Sequence, residues 1–229
     1  MCSGSSVWAE NEVLERYHAL QSFTEPEKTM KTELEKIDYL GSTKCCHLAN
    51  RLSAHFELHI EQASLLENSS KNIGVVTGIQ GMRWFHVTIS GAEGHAGSSP
   101  MVTRKDAMVA AAKLILHVDE TARRVQGFGT VGCVKPASNA PNTIVGSVKC
   151  IVDFRHPSDE ILDEVQRGVE SLLRSLETET YGITSSFRVS WSNKAIDFNE
   201  NAIQCVERAA ESVCGELKVR MISCAAHDR

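Results

Sequence analysis

The chain has 229 residues, 42% of them hydrophobic and 23% charged, which is the make-up of a globular protein long enough to bury a sizeable core. Its formal charge of −5 offers no basic face for counterion release, so small molecules or protein partners are expected and nucleic acid is not. No run approaches the roughly 20 apolar residues of a membrane span, and Met1 to Ser5 lacks the charged and apolar regions of a signal peptide, so a cytoplasmic location is expected.

Along the chain, helical stretches such as Glu12 to Gln21 and Lys28 to Ile37 come first. Phe56-Glu57-Leu58-His59-Ile60-Glu61-Gln62 then alternates apolar and polar residues. As a strand it sets Glu57, His59 and Glu61 on one side, where an imidazole beside carboxylates suits a metal and a solvated face is the plainer alternative.

From Trp84 to Ser90, Phe85, Val87 and Ile89 alternate with polar residues, the pattern of a half-buried strand. A glycine-rich loop follows over residues 91–100. Ala107, Ala110, Ala111, Leu114, Ile115 and Val118 then recur at helical spacing. Gly127 to Val134 reads as a second strand, and Val148, Cys150, Val152 and Phe154 mark one face of a third. After Pro157 and Ser158 a second amphipathic helix runs from Ile161 to Leu176, and Phe187, Val189 and Trp191 give a fourth strand.

The order βαββαβ predicts an α/β (α+β) fold: a four-stranded antiparallel sheet with two helices on one face and the other face open. It occupies residues 80–192. Residues 1–79 and 193–229, the latter with a helix over Asn201 to Val213, are expected to form one body into which this domain is inserted.

Several side chains could carry chemistry. His95, between Gly94 and Gly97, lies on a strand-to-helix loop where backbone approaches a ligand closely, or is a plain surface-turn histidine. Arg155, in Asp153-Phe154-Arg155-His156-Pro157, and Asn142, in Ala140-Pro141-Asn142-Thr143-Ile144, both fall near the ends of the third strand. A guanidinium with an amide makes a carboxylate clamp, whereas a local Asp153–Arg155 surface pair is the simpler reading. His227-Asp228 is either a metal-binding loop or terminal chain. The eight cysteines contain no Cys-x-x-Cys pair and read as free thiols.

The wording and order of five segments resemble one family. These are residues 57–62, Ile73-Gly74-Val75-Val76-Thr77-Gly78-Ile79, Gly94-His95-Ala96-Gly97-Ser98-Ser99-Pro100-Met101, Asn142-Thr143-Ile144-Val145-Gly146, and residues 153–157. The chain is similar to the hydantoinase/carbamoylase amidohydrolases of the M20 peptidase clan. That group contains N-carbamoyl-L-amino-acid hydrolases, allantoate amidohydrolases and fungal-type β-ureidopropionases.

The resemblance implies a hydrolase of linear amide or ureido carbon–nitrogen bonds, with a two-metal zinc or manganese site whose ions activate water. His59 resembles a metal ligand and His227 the last one. The resemblance gives His95 to the developing oxyanion, Asn142 and Arg155 to the substrate carboxylate, and Gln62 and Arg83 to the pocket wall. Residues 80–192 resemble the family's dimerisation lid, which implies a homodimer. All three of His95, Asn142 and Arg155 are expected to converge on the open sheet face.

The segments that supply the family's His-x-Asp pair, bridging Asp and Glu-Glu pair have no counterpart here, and Ala63 and Ala226 stand where the family has glycines. A chain truncated at both termini is therefore expected, without turnover of its own. A non-catalytic dimerisation or carboxylate-binding module is the alternative.

Overall fold

The computed structural model describes residues 3–22, 24–49, 51–178 and 182–225. The chain divides into two compact units, Met1–Leu65 with Ala225–Arg229, and Leu66–Cys224.

The first unit holds short helices α1 (Ser3–Trp8), α2 (Leu14–His18) and α3 (Met30–Lys36), and the start of α4 (Leu65–Ser69). The expected helices over Glu12 to Gln21 and Lys28 to Ile37 are thus present but clipped. Thr29 ends the second one's lead-in: its hydroxyl accepts from the Thr32 N–H at 3.2 Å, and Thr32 returns a bond to the Thr29 backbone. Residues 56–61 form no strand, contrary to the alternation of the sequence. Phe56, Leu58 and Ile60 are 58%, 102% and 76% exposed, so both sides of the segment face solvent. Alternation makes a strand only when a neighbour supplies ladder bonds and a core to cover one side.

The second unit contains β1 (Ile73–Ile79), β2 (Gly81–Ser90), β3 (Gly94–His95), α5 (Ala107–Val125), β4 (Phe128–Pro136), β5 (Thr143–Ile144), β6 (Ser147–His156), α6 (Asp159–Thr178), β7 (Thr184–Asn193), β8 (Ile196–Asp197), α7 (Glu200–Cys214) and β9 (Lys218–Ser223). Its larger sheet has the order β4-β6-β2-β7, with every neighbouring pair antiparallel. Connections β2-α5-β4 and β6-α6-β7 place both helices against one face, the split βαβ arrangement.

The period-two pattern is what sorts the faces. Phe85, Val87 and Ile89 on β2, and Val148, Cys150, Val152 and Phe154 on β6, are buried toward the helices. Their neighbours on the other side are partly exposed. Helix α5 answers with Ala107, Ala110, Ala111, Leu114 and Val118, whose small methyl groups let it lie close to the sheet. Asp106 caps it, accepting from the N–H groups of Met108 and Val109 at 2.9 and 3.3 Å. Gln126 closes it in the left-handed region at φ 56°. Helix α6 contributes Leu162, Val165, Val169, Leu173 and Leu176, at three- and four-residue spacing.

The smaller sheet, β8-β1-β9, pairs β1 parallel to β9 and antiparallel to β8. Its modest core is Val75 with Ile203 and Ala210 of α7. Gln80, 2% exposed, is the single residue between β1 of this sheet and β2 of the larger one.

Candidate functional site

The open face of the large sheet is built from alternate residues of four strands. On β6 it carries Lys149, Ile151, Asp153 and Arg155; directly opposite stand Thr88, His86, Trp84 and Met82 of β2. Phe128 of β4 lies directly opposite Arg155, and Thr130 opposite Asp153. Trp84 meets Trp191 of β7 with ring centroids 5.4 Å apart. Arg155 therefore sits between the exposed ring of Phe128 and, diagonally, the half-exposed indole of Trp84.

Its guanidinium is well held. Nε donates to the two oxygens of Asp153 at 3.0 and 3.1 Å, Nη2 to Oδ2 at 2.6 Å, and Nη1 to the Cys224 carbonyl at 2.7 Å. Hydrogen bonding to Asp153 raises the Arg155 pKa further above its ordinary value, so the side chain is a permanent cation. The local Asp153–Arg155 pair is thus real. It leaves one N–H hydrogen on each terminal nitrogen, enough for a bidentate carboxylate contact.

His95 and Asn142 stand elsewhere. β3 pairs with β5 so that His95 is opposite Thr143, and the Ala96 N–H donates to the Asn142 carbonyl at 2.8 Å. Both side chains are exposed. The His95 Nδ1 accepts from the Gly97 N–H at 3.2 Å, which leaves Nε2 to carry the ring proton outward. Arg104 braces the loop, donating from Nε to the Ser99 carbonyl at 3.1 Å and from Nη2 to the Ala96 carbonyl.

This short ladder continues the β2–β6 pairing past Ser90 and Ser147, whereas Arg155 lies at the far end beside Met82. The eight steps from Ser147 to Arg155, at about 3.3 Å each, separate the two ends by roughly 26 Å. The expected convergence of His95, Asn142 and Arg155 does not occur within one chain. His95 and Asn142 lie together beyond one end of the β2–β6 pairing, and Arg155 lies at the other.

Arg83 lies on the helix-covered side. Its Nη1 donates to Gln166 at 2.9 Å and its Nη2 to Asp163 at 2.5 Å, both on α6, which holds the Asp163 carboxyl below its ordinary range. Gln62 is exposed in the first unit, beside Glu61, whose carboxylate accepts from the Leu65 N–H at 2.7 Å. His59, also exposed, donates from Nδ1 to the Ile60 carbonyl at 2.6 Å. That bond selects the tautomer a metal ligand needs, with Nε2 as the acceptor. Among the described residues, however, no three His, Cys, Asp or Glu side chains are grouped to hold a metal ion. His227 lies outside the described residues.

Sequence reasoning passed over His86, which sits mid-face and accepts at Nδ1 from Arg188 at 2.9 Å. Desolvation, then the Arg188 charge, lowers its pKa. Its place among the outward residues of the first strand was the available signal.

Comparison with known proteins agrees with this architecture. The family described as Peptidase dimerisation domain matches residues 77–180. An N-carbamoyl-L-amino-acid amidohydrolase of Rhizobium meliloti is 33% identical over 227 residues, covering 98% of this chain and 53% of that protein. An allantoate amidohydrolase of Escherichia coli is 34% identical over 127 residues, covering 55% of this chain and 31% of that protein. The crystal structure of a hydantoinase/carbamoylase family amidase from Burkholderia multivorans superposes with a TM-score of 0.85 at 33% identity, covering 98% of this chain and 54% of that one. The chain spans about half the length of the relatives it matches along its full extent. Along nearly all of its sequence the chain is thus similar to hydantoinase/carbamoylase family proteins, and its split βαβ layer falls within the match to the peptidase dimerisation domain.

Proposed function

We propose that this chain is the lid-bearing part of a hydrolase that cleaves linear amide or ureido carbon–nitrogen bonds other than peptide bonds, in small carboxylates of the N-carbamoyl amino acid or allantoate class. The observation that carries this reading is Arg155, a fixed cation on the open sheet face with a hydrogen left on each terminal nitrogen. In it Arg155 grips the substrate carboxylate, Asn142 adds an amide contact, and His95 donates from Nε2 to the oxyanion. Gln62 and Arg83 belong to the pocket wall by resemblance alone, and Arg83 would have to leave Asp163 to reach it.

The two half-sites of this reading, His95 with Asn142 and Arg155 by itself, lie too far apart to touch one small substrate in one chain. The same substrate meets both only if a second copy brings its own hairpin to the first copy's Arg155. A homodimer through the lid is therefore part of the proposal. It is supported by β4, whose outer edge is unpaired among the described residues, and by exposed apolar residues on helix α5, which packs against that strand. Val109 and Leu116 of α5 are 41% and 60% exposed.

In this reading residues 1–79 and 193–229 belong to the catalytic body and 80–192 to the lid, although the compact units divide after Leu65 and Cys224. Zinc or manganese, held in part by His59 and His227, would polarise the scissile carbonyl in the complete site. The described side chains do not themselves assemble such a centre. No described helix is long and apolar enough to cross a membrane; a cytoplasmic location rests on the sequence reading.

The test is calorimetric titration with N-carbamoyl-L-amino acids, allantoate and N-carbamoyl-β-alanine, with ammonia release followed in parallel. Binding that vanishes in Arg155→Ala supports the clamp. Unchanged binding in that variant refutes it. Robust ammonia release by this chain alone refutes the reading that it is an incomplete part of the hydrolase.

A further inference from the structure

Arg155 is fixed by more than its ion pair. Asp153, two residues earlier on the same face of β6, takes the Nε and Nη2 edge of the guanidinium. The carbonyl of Cys224, just beyond β9, takes Nη1 at 2.7 Å. That same carbonyl accepts from Nε2 of Gln80 at 3.1 Å, while the Gln80 backbone N–H donates to the Ser223 carbonyl at 3.1 Å. One carbonyl therefore joins an amide buried at the passage between the two sheets to a guanidinium on the open face.

A surface ion pair needs none of this. An arginine that must bind in one orientation does, because its flexible stem otherwise loses rotamer freedom when the ligand arrives. Gln80 is also almost wholly buried, and its amide donors must be satisfied there. The Cys224 carbonyl satisfies one of them and serves Arg155 as well.

We infer that Asp153, the Cys224 carbonyl and Gln80 are positioning groups that mount Arg155 for an incoming carboxylate and carry its occupancy to the passage between the sheets. This rests on the reading of Arg155 as a carboxylate clamp. The mount and simple electrostatics predict opposite signs. Removing a carboxylate beside the site strengthens anion binding if charge alone matters. It weakens binding if Asp153 orients the guanidinium.

The experiment titrates N-carbamoylglycine into the full chain and its Asp153→Ala, Asp153→Asn, Gln80→Met and Arg155→Ala variants, each first checked for native melting. Arg155 Nε–H and Gln80 side-chain amide resonances are recorded alongside by NMR. Expected are binding at least fivefold weaker in Asp153→Ala, an intermediate value in Asp153→Asn, which keeps one acceptor oxygen, and loss of the slowly exchanging Arg155 Nε–H resonance in Asp153→Ala. In the wild type the ligand should shift the Gln80 amide signals, and in Gln80→Met binding should weaken. Equal or tighter binding in Asp153→Ala, with binding still abolished in Arg155→Ala, overturns the mount and leaves the clamp standing. Unshifted Gln80 signals at saturation overturn the link to the sheet passage. If Arg155→Ala binds like wild type, the clamp fails instead; the Arg155 Nε–H resonance then decides the mount alone, and its persistence in Asp153→Ala overturns it. Should Gln80→Met fail to fold, Gln80→Glu, which keeps the shape but loses the donor, replaces it.

Discussion

Gly129 of β4 lies directly opposite Phe154 of β6, and a methyl group built on it would meet the Phe154 ring edge at 2.7 Å and the Ala122 methyl of α5 at 3.0 Å. The glycine is there for space, since its φ is not in the left-handed range. Gly129→Ala should destabilise the large-sheet layer by about 1–3 kcal/mol through overpacking. Urea unfolding followed by far-UV circular dichroism checks this; an unchanged midpoint would mean that α5 can retreat from the sheet at no cost.

The Arg155 guanidinium is the cation that the proposed ligand carboxylate needs. Arg155→Ala should weaken binding of an N-carbamoyl amino acid on the order of 10- to 100-fold, the value of a charge-assisted bidentate contact. Arg155→Lys should recover only part of this, because an ammonium lacks the planar fork. Calorimetric dissociation constants at one fixed ionic strength report both.

His117 of α5 packs over Gly168 of α6, and its Nε2 is buried without a hydrogen-bond partner among the described residues. Desolvation lowers its pKa from the ordinary 6.5; Glu120 opposes this and Arg124 adds to it. The unfolded chain then binds more protons than the folded one between the lowered value and 6.5, so stability rises with pH there. The contribution is complete above pH 6.5 and fades as the pH falls through that window. His117→Gln should flatten this part of the Tm-against-pH curve, while an identical slope in the variant would assign it to other groups.

Leu116 and Val109 are exposed apolar residues on α5, the helix that packs against the edge strand β4. Leu116→Asp should shift the chain toward monomer at micromolar concentration and leave its circular dichroism spectrum unchanged. Sedimentation velocity reads the outcome. A wild-type chain that sediments as a monomer at all accessible concentrations contradicts the lid-dimer assignment.

The large sheet was readable because its strands bury one side only, so Phe85, Val87 and Ile89, and Val148, Cys150, Val152 and Phe154, leave an unbroken period of two. The helices were readable from their apolar stripes. Phe56 to Gln62 shows the same alternation but forms no strand, and periodicity alone does not report on partners.

The separation of the half-sites was legible in principle. Asn142 precedes the third strand and Arg155 ends it, so the strand's own length holds them apart. Arg83, in step with Phe85, had its helix-covered side fixed by parity as well. What sequence did not carry is the Cys224 carbonyl beside Arg155, a contact between positions 69 residues apart that depends on how β9 returns to β1.

β6 acts as a ruler with two marks. Inserting or deleting one residue between Ser147 and Arg155 would turn the core-facing residues beyond it toward solvent, so only changes in pairs preserve both sides. Each such pair would move the arginine relative to the hairpin by nearly 7 Å. Any adjustment to a ligand of different length must therefore come from the loops, or from how two molecules slide past each other, and not from gradual lengthening of the strand.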